Sequence, residues 1–413
     1  METRNGGCRR STVTTHRAQR NSNILKVLNV LRASTRCTIS EVADRARLSR
    51  LTVAKILDLL AEGDIVTPVG KAPGKIEGGR RPQLYNFNSS ARYSLGILIG
   101  EKSVTGRLVD LNIETAGVFR KSIAPDLNAA ELLSVIDELI AALVDNPHIP
   151  RESILGIGVG SQGVTDFERG IVLTSPHNPS WGKELPLRDM IQKRVGVAIP
   201  VYVDNAIRFR TLAETTAGRL RNVQNSQVIH CADGLIAGNI LNATIYRGVH
   251  NIAGSIGHMK INVTDTERCD CGGFGCFEMQ VMPRRVLARA QSLKADFPDS
   301  VLVRNPDGAL YLEELFAASE SGDGLARIVM DETIAWFAIA IHNLILMYDP
   351  EVVVIQGTYA HAGDYFINSL RERVGKVSLI NVAQRTTIEY SQLDDEEAGT
   401  LGAASYVLLH AFE

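Results

Sequence analysis

The apolar positions of the chain change rhythm near residue 88, and the change separates two kinds of structure. Before it, Ile24, Leu25, Val27, Leu28 and Leu31 recur at helical spacing, which predicts a first helix from Asn21. Thr38-Ile39-Ser40-Glu41 has the form of a capping box, with Val42 and Ala43 following as an apolar face, so a short second helix should run to about Arg47. Ser49 is a good N-cap for a third, whose stripe is Val53, Ile56, Leu57 and Leu60, up to Gly63. A packing helix followed by two helices on a tight turn predicts a helix-turn-helix. Ile65-Val66 and residues 84–87 read as short strands beside two basic, glycine-bearing segments, 71–75 and 78–82, and together they predict a hairpin wing.

After residue 88, strands rich in Gly, Val and Ile alternate with longer helical segments. Residues 94–100, 104–109 and 117–120 predict three neighbouring strands, and Asn128 with Glu131 caps a helix to about Val144. Further strands are expected at 155–160, 200–204 and 352–355, with a strand-rich stretch over 228–246. Mixed α/β of this length fits two lobes around a cleft. The longest apolar run, residues 333–348, is interrupted by His342 and Asn343, which suits a buried core helix and not a membrane span. Residues 1–20 are basic without an apolar stretch, so they read as a disordered arm and not a signal peptide. No membrane association and a cytoplasmic location are the expectations.

Composition adds little until charge is divided along the chain. Of 413 residues, 45% are apolar and 22% charged, average for a globular protein, and the net charge is −2. Yet residues 1–82 hold 16 Lys and Arg against 7 Asp and Glu, a net of +9, and the remainder carries 28 against 39, a net of −11. A basic module that meets a polyanion, joined to an acidic body that does not, is the simplest reading. If Ser49 opens the second helix of the motif, then Ser49, Arg50, Leu51, Thr52 and Lys55 lie on its exposed N-terminal side, where such a helix meets DNA base edges. Arg80 and Arg81, among glycines, could enter a narrow minor groove or belong to a linker. The alternative for the whole module is a protein-interaction surface.

Six cysteines are too few for a disulfide scaffold, and Cys269, Cys271 and Cys276 crowd together. With His258 they offer three thiolates and one imidazole, the donor set of a closed, structural zinc site, and Gly272, Gly273 and Gly275 let the backbone turn tightly between them. Free thiols are the alternative. Cys8, Cys37 and Cys231 stand alone.

Ala253-Gly254-Ser255-Ile256-Gly257-His258 followed by Cys269-Asp270-Cys271-Gly272-Gly273-Phe274-Gly275-Cys276-Phe277-Glu278 resembles the signature of the ROK family of sugar kinases and sugar-responsive repressors. Gly158 to Val164, Ser175-Pro176 with Trp181, Asp349 to Gly357 and Leu401 to Ala404 agree in order, and the appended winged helix resembles the repressor branch. The resemblance implies an α/β, two-lobed actin-like kinase fold, assembled as a homodimer or homotetramer. It divides the chain into an arm (1–20), a winged helix-turn-helix (21–88) and an effector-sensing domain (89–413) with the zinc motif at 258–276. The lobes would cover about 89–205 plus the C-terminal helix, and about 206–392. Effector contacts carry over to Gly163, Asn205, Ser255, His258 and Glu278, Ser255 standing where the family has Glu.

Catalysis is expected to be lost. The kinases' Asp-x-Gly-Gly-Thr turn corresponds to Leu98-Ile99-Gly100-Glu101-Lys102, the general-base Asp to Ala206, and the second lobe's Gly-Thr-Gly turn to Ala232-Asp233-Gly234. Asp204 could replace the base only after a register shift. The expectation is therefore a non-enzymatic, DNA-binding repressor of carbohydrate genes on a palindromic operator, with a sugar kinase carrying a DNA-binding appendage as the alternative. Arg208 and Arg210 suggest a sugar phosphate or sugar acid as effector, unless both face solvent.

Overall fold

The structure, a computed structural model, describes residues 11–34, 36–72, 81–176, 178–232, 234–303, 308–376 and 385–412. The chain forms two compact units, one of residues 1–163, 168–204 and 403–413, the other of 164–167 and 205–402.

The first unit opens with α1 (Ser11–Arg32), β1 (Arg36–Thr38), α2 (Ile39–Ala46), α3 (Arg50–Glu62), β2 (Val66–Lys71) and β3 (Gln83–Phe87). Ile24, Val27, Leu28 and Leu31 of α1 are buried together with Val42, Val53, Leu57 and Leu60, the stripes that the spacing marked. The capping box is present: Thr38 Oγ1 accepts from Glu41 N at 3.3 Å, and Thr38 N donates to Glu41 Oε2 at 2.7 Å. Arg47, at φ 54°, takes the left-handed conformation that turns the chain from α2 into α3. β2 and β3 pair antiparallel as a wing, and β1 adds to β3 through Cys37 opposite Tyr85. That third strand has three residues, too few for an alternating pattern to show.

The expected start of the first helix is corrected: α1 begins at Ser11, ten residues before Asn21. Those residues carry no apolar stripe, so periodicity could not mark them. Helix elongates back through them because extending an existing helix needs no new nucleus. Of the arm, residues 1–10 lie outside the described residues.

The same unit continues with β4 (Tyr93–Ile99), β5 (Ser103–Asp110), β6 (Thr115–Ser122), α4 (Ala129–Leu143), β7 (Ile154–Ser161), the short β8 (Val164–Asp166, which belongs to the second unit) and β9 (Ile171–Thr174), then α5 (Leu187–Val195) and β10 (Val201–Asn205). Its sheet runs β10-β7-β4-β5-β6, with β4, β5 and β6 antiparallel and β7 parallel to β4. α4 lies directly on it: a Cβ on Gly106 would sit 2.7 Å from Leu139. The head is tied to this sheet. Arg32, in the last turn of α1, donates from Nε to the carbonyl of Leu111 at 2.6 Å, and Leu111 N donates to Ser89 O at 3.0 Å.

The second unit contains α6 (Ala206–Thr216), β11 (Ser226–Cys231), β12 (Leu235–Leu241), β13 (Thr244–Ile245), α7 (Phe277–Val281), α8 (Pro283–Leu293), α9 (Leu312–Glu320), α10 (Gly324–Tyr348), β14 (Val352–Gly357), α11 (Gly363–Lys376) and β15 (Thr387–Tyr390). Its sheet runs β13-β12-β11-β14-β15, with β11 antiparallel to β12 and parallel to β14. α10, long and apolar enough to cross a membrane by composition, is a core helix here: Leu325, Val329, Met330, Ile334, Phe337, Ile341 and Leu344 are buried. Phe337 packs edge-on against Phe277 and Phe366, with Tyr359 beside it. The last helix, α12 (Asp395–His410), is shared and not, as expected, wholly part of the first lobe. Gly402 approaches the Phe209 carbonyl in the second unit so closely that a Cβ would lie at 1.7 Å. From Ala403 onward the helix packs in the first unit, where a Cβ on Gly158 would meet the Ala403 carbonyl at 2.3 Å.

Candidate functional site

Three sets of side chains carry candidate chemistry. On α3, Ser49 Oγ accepts from Thr52 N at 3.1 Å and lies 2.8 Å from Thr52 Oγ1. Both hydroxyls are engaged in starting the helix, although Ser49 stays exposed; Arg50, Leu51 and Lys55 are exposed as well, Leu51 by 67%. Arg50 and Lys55 make no ion pair with described residues. Sequence reasoning missed two neighbours: Arg20 and Asn23 of α1 line, with Leu51, Thr52, Lys55, Ile56 and Leu59, a groove of about 460 Å³. Their signal was their spacing, i and i+3 on the polar edge of the α1 stripe. Arg81 is exposed at the base of the wing, where Ala72 N donates to Pro82 O at 2.9 Å; Arg80 lies outside the described residues.

The second set is the metal cluster. One donor atom each from His258, Cys269, Cys271 and Cys276 can be chosen so that all lie within 4.8 Å of one another. Cys271 Sγ is 3.5 Å from Cys276 Sγ, and His258 Nδ1 is 3.7 Å from Cys269 Sγ. Bonds of about 2.3 Å to sulfur and 2.1 Å to nitrogen space tetrahedral donors roughly 3.5–3.8 Å apart, so the residues fit such an ion. The backbone turns as the glycines suggested: Gly272 and Gly275 have φ of 85° and 68°, and a Cβ on Gly275 would lie 2.0 Å from Asn262 O. Burial pushes the Cys269 thiol up to about 12, whereas the Gly273 amide lowers that of Cys271. Metal uptake must therefore displace at least the Cys269 proton.

The loop is anchored on both sides. Asp265, with a buried side chain, takes two bonds from Arg285 at 2.6 and 2.9 Å and one from Gln280 at 2.6 Å. The Arg285 bond first, then that from Gln280, outweighs burial and holds its carboxyl well below the usual range. Downstream, Phe277 follows Cys276 directly into the aromatic core, and Tyr359 Oη donates to Val281 O at 2.6 Å.

The third set is the expected effector site. Asn205 caps α6 by accepting from Ile207 N at 2.9 Å. Ser255 and His258 are exposed and share one 3-10 turn. His258 turns Nδ1 towards the Cys269 sulfur. Glu278 Oε2 accepts from Leu235 N at 2.8 Å, and a Cβ on Gly257 would lie 3.1 Å from it. His258 and Glu278 thus sit on either flank of the metal loop. Gly163 belongs to the first unit, where its φ of 88° and a would-be Cβ contact of 2.1 Å with Thr174 O require glycine.

The two arginines that suggested an anionic effector are engaged within the fold. Arg208 and Arg210 are 3% and 7% exposed, so neither faces solvent. Arg208 donates to Asn251 O at 2.6 Å. Arg210 binds both oxygens of Asp395 at 2.8 Å, and His230 Nε2 lies 2.6 Å from the same carboxylate.

Residues 94–409 match the ROK family. The chain belongs to the ROK family. Among ROK relatives, it is 29% identical over 398 residues to a xylose repressor of Caldicellulosiruptor bescii, covering 94% of this chain and 97% of that one. It is 27% identical over 257 residues to a glucokinase of Halalkalibacterium halodurans, covering 62% of this chain and 76% of the kinase. In fold it matches a ROK family transcriptional regulator described as a homologue of the Escherichia coli MLC protein, with a TM-score of 0.80 and 22% identity over 96% of this chain and 98% of that one.

Ala206, to which the resemblance assigned the kinases' general base, is the first residue of α6 and buried, and its methyl group accepts no proton. Asp204 is fully buried in β10. The segment that the resemblance sets against the kinases' first phosphate turn is a tight hairpin closed by Gly100 N donating to Ser103 O at 2.9 Å, with Glu101 in it. Asp233 lies outside the described residues.

Proposed function

We propose that this ROK protein is a DNA-binding transcriptional repressor of carbohydrate genes, and that a sugar sets the balance between its DNA-bound and free states. The observation that supports the reading is the outward, cationic face of α3, Arg50 and Lys55, on a chain similar over 94% of its length to a xylose repressor, with Ala206 where the resemblance puts the kinases' proton acceptor. Residues 21–88 form the reading domain: Arg50 and Lys55 meet guanine edges or phosphates, Leu51 meets a thymine methyl, and Arg80 and Arg81 follow the minor groove. Two copies in a homodimer, or a homotetramer of such pairs, read a palindromic operator in the cytoplasm. Asn205, Ser255, His258 and Glu278 hold the sugar hydroxyls. With Arg208 bonded to a carbonyl and Arg210 to Asp395, the effector is a neutral sugar, and the relative named for xylose puts that sugar first in a panel.

Zinc held by His258, Cys269, Cys271 and Cys276 is structural: four protein donors leave no open position. When bound it supplies a fixed charge that orients the imidazole, whose other nitrogen then faces the sugar. The test is a gel-shift assay with DNA from upstream of the chain's own gene, run with and without each sugar. A shifted band altered by one neutral sugar is the expected result. Absence of any shift sinks the reading. The kinase alternative rests on the glucokinase relative, and ATP turnover on the same panel would decide for it.

A further inference from the structure

One cation stands against the metal cluster without being a ligand. Lys260 faces Cys276 across an antiparallel backbone bridge. Its Nζ donates to Cys276 Sγ at 2.7 Å and lies 3.9 Å from Cys271 Sγ. Room for the ammonium is built into the turn: a Cβ on Gly273 would sit 2.4 Å from Lys260 Nζ. The other nearby cation, Arg268, donates from Nε to the Gly272 carbonyl at 3.2 Å. Three thiolates and a neutral imidazole around a divalent ion leave one net negative charge, located on sulfur. Sulfur with that charge uncompensated is the better nucleophile and the more readily protonated ligand, and a sulfur that takes a proton or an alkyl group lets go of the ion.

We infer that Lys260 is a positioning residue for the metal centre: its ammonium fixes the Cys276 sulfur, offsets the negative charge of the tris-thiolate site, and so slows both attack by electrophiles and loss of the ion. The inference rests on the zinc reading given above. Attack is a displacement in which a sulfur lone pair forms an S–C bond to iodoacetamide while the C–I bond breaks, iodide leaves, and the sulfur no longer holds the ion.

The experiment uses the full chain loaded with zinc, with metal content measured before reaction. Zinc transfer to a chromophoric chelator and alkylation of each cysteine by mass spectrometry are followed for the unaltered chain, Lys260→Met and Lys260→Arg. Losing an outer partner of a metal ligand costs about 10–100-fold in metal affinity, so Lys260→Met should release zinc and alkylate at Cys276 about tenfold faster, and Lys260→Arg should restore slow reaction. A Lys260→Met chain that folds but holds no zinc, beside a zinc-loaded Lys260→Arg chain, supports the same role. Equal rates in all three, with one zinc bound to each, overturn the inference alone. An unaltered chain that binds no zinc overturns the zinc reading and the inference together.

Discussion

Two helices of this protein open with paired cations, and their fates are opposite. On α3, Arg50 and Lys55 point outward and pair with no described residue; on α6, Arg208 and Arg210 are buried, one on a carbonyl and one on a carboxylate. Composition counts the four alike. A cation is free to act on a partner molecule only when the fold leaves it unsatisfied, which favours the proposed DNA contact for α3 and a structural role for α6. Asp395 shows the cost of framework charge: burial alone would raise its pKa, but the hydrogen bond from His230 and the charge of Arg210 hold it well below the usual carboxylate range.

The strongest way to break the comparison is Arg210→Ala. Removing one partner of a buried pair costs about 3–5 kcal/mol, and about 3 is expected here because Asp395 keeps His230 and is 39% exposed. A lowered denaturation midpoint should report it; an unchanged midpoint would mean that Arg210 is available after all. Arg50→Ala should do the converse, costing about 1–3 kcal/mol of operator binding while shifting stability by less than about 0.5 kcal/mol. Fluorescence anisotropy and thermal unfolding on the same sample separate the two. Lys55→Ala should weaken binding more evenly across sequences and reduce the slope of log K against log salt by about 1. The smallest effect is pH-dependent. A carboxylate depressed in the fold contributes stability above about pH 4, its ordinary value, and loses it as pH falls through the folded value. The stability gap between the unaltered chain and Asp395→Asn should therefore be full at pH 6 and narrower at pH 3.

What the sequence made legible is what is local in the chain. The capping box at Thr38, the caps at Ser49 and Asn128, and the helix stripes of the head depend on residues three or four apart. The gathering of His258, Cys269, Cys271 and Cys276 was equally readable, because three of the four donors fall within eight residues and their chemistry is distinctive. The Arg210 pairing was not: Asp395 is 185 residues away, and no periodicity links them. Nor was the side-chain contact of Ser49 Oγ with Thr52 Oγ1, which adds to the expected cap. The groove between α1 and α3 escaped notice for the same reason, since it exists only once the two helices are packed.

The bond from Arg32 to the Leu111 carbonyl has a bearing on the DNA itself. A head hung on a slack tether can swing to meet half-sites at many separations; a head clamped to the sheet of its own sensor lobe cannot. Each added base pair rotates one half-site by about 35° relative to the other. Operators for this protein should accordingly tolerate substitutions between their half-sites far better than insertions, and cutting the clamp with Arg32→Ala should relax that rule before it weakens binding to the native spacing.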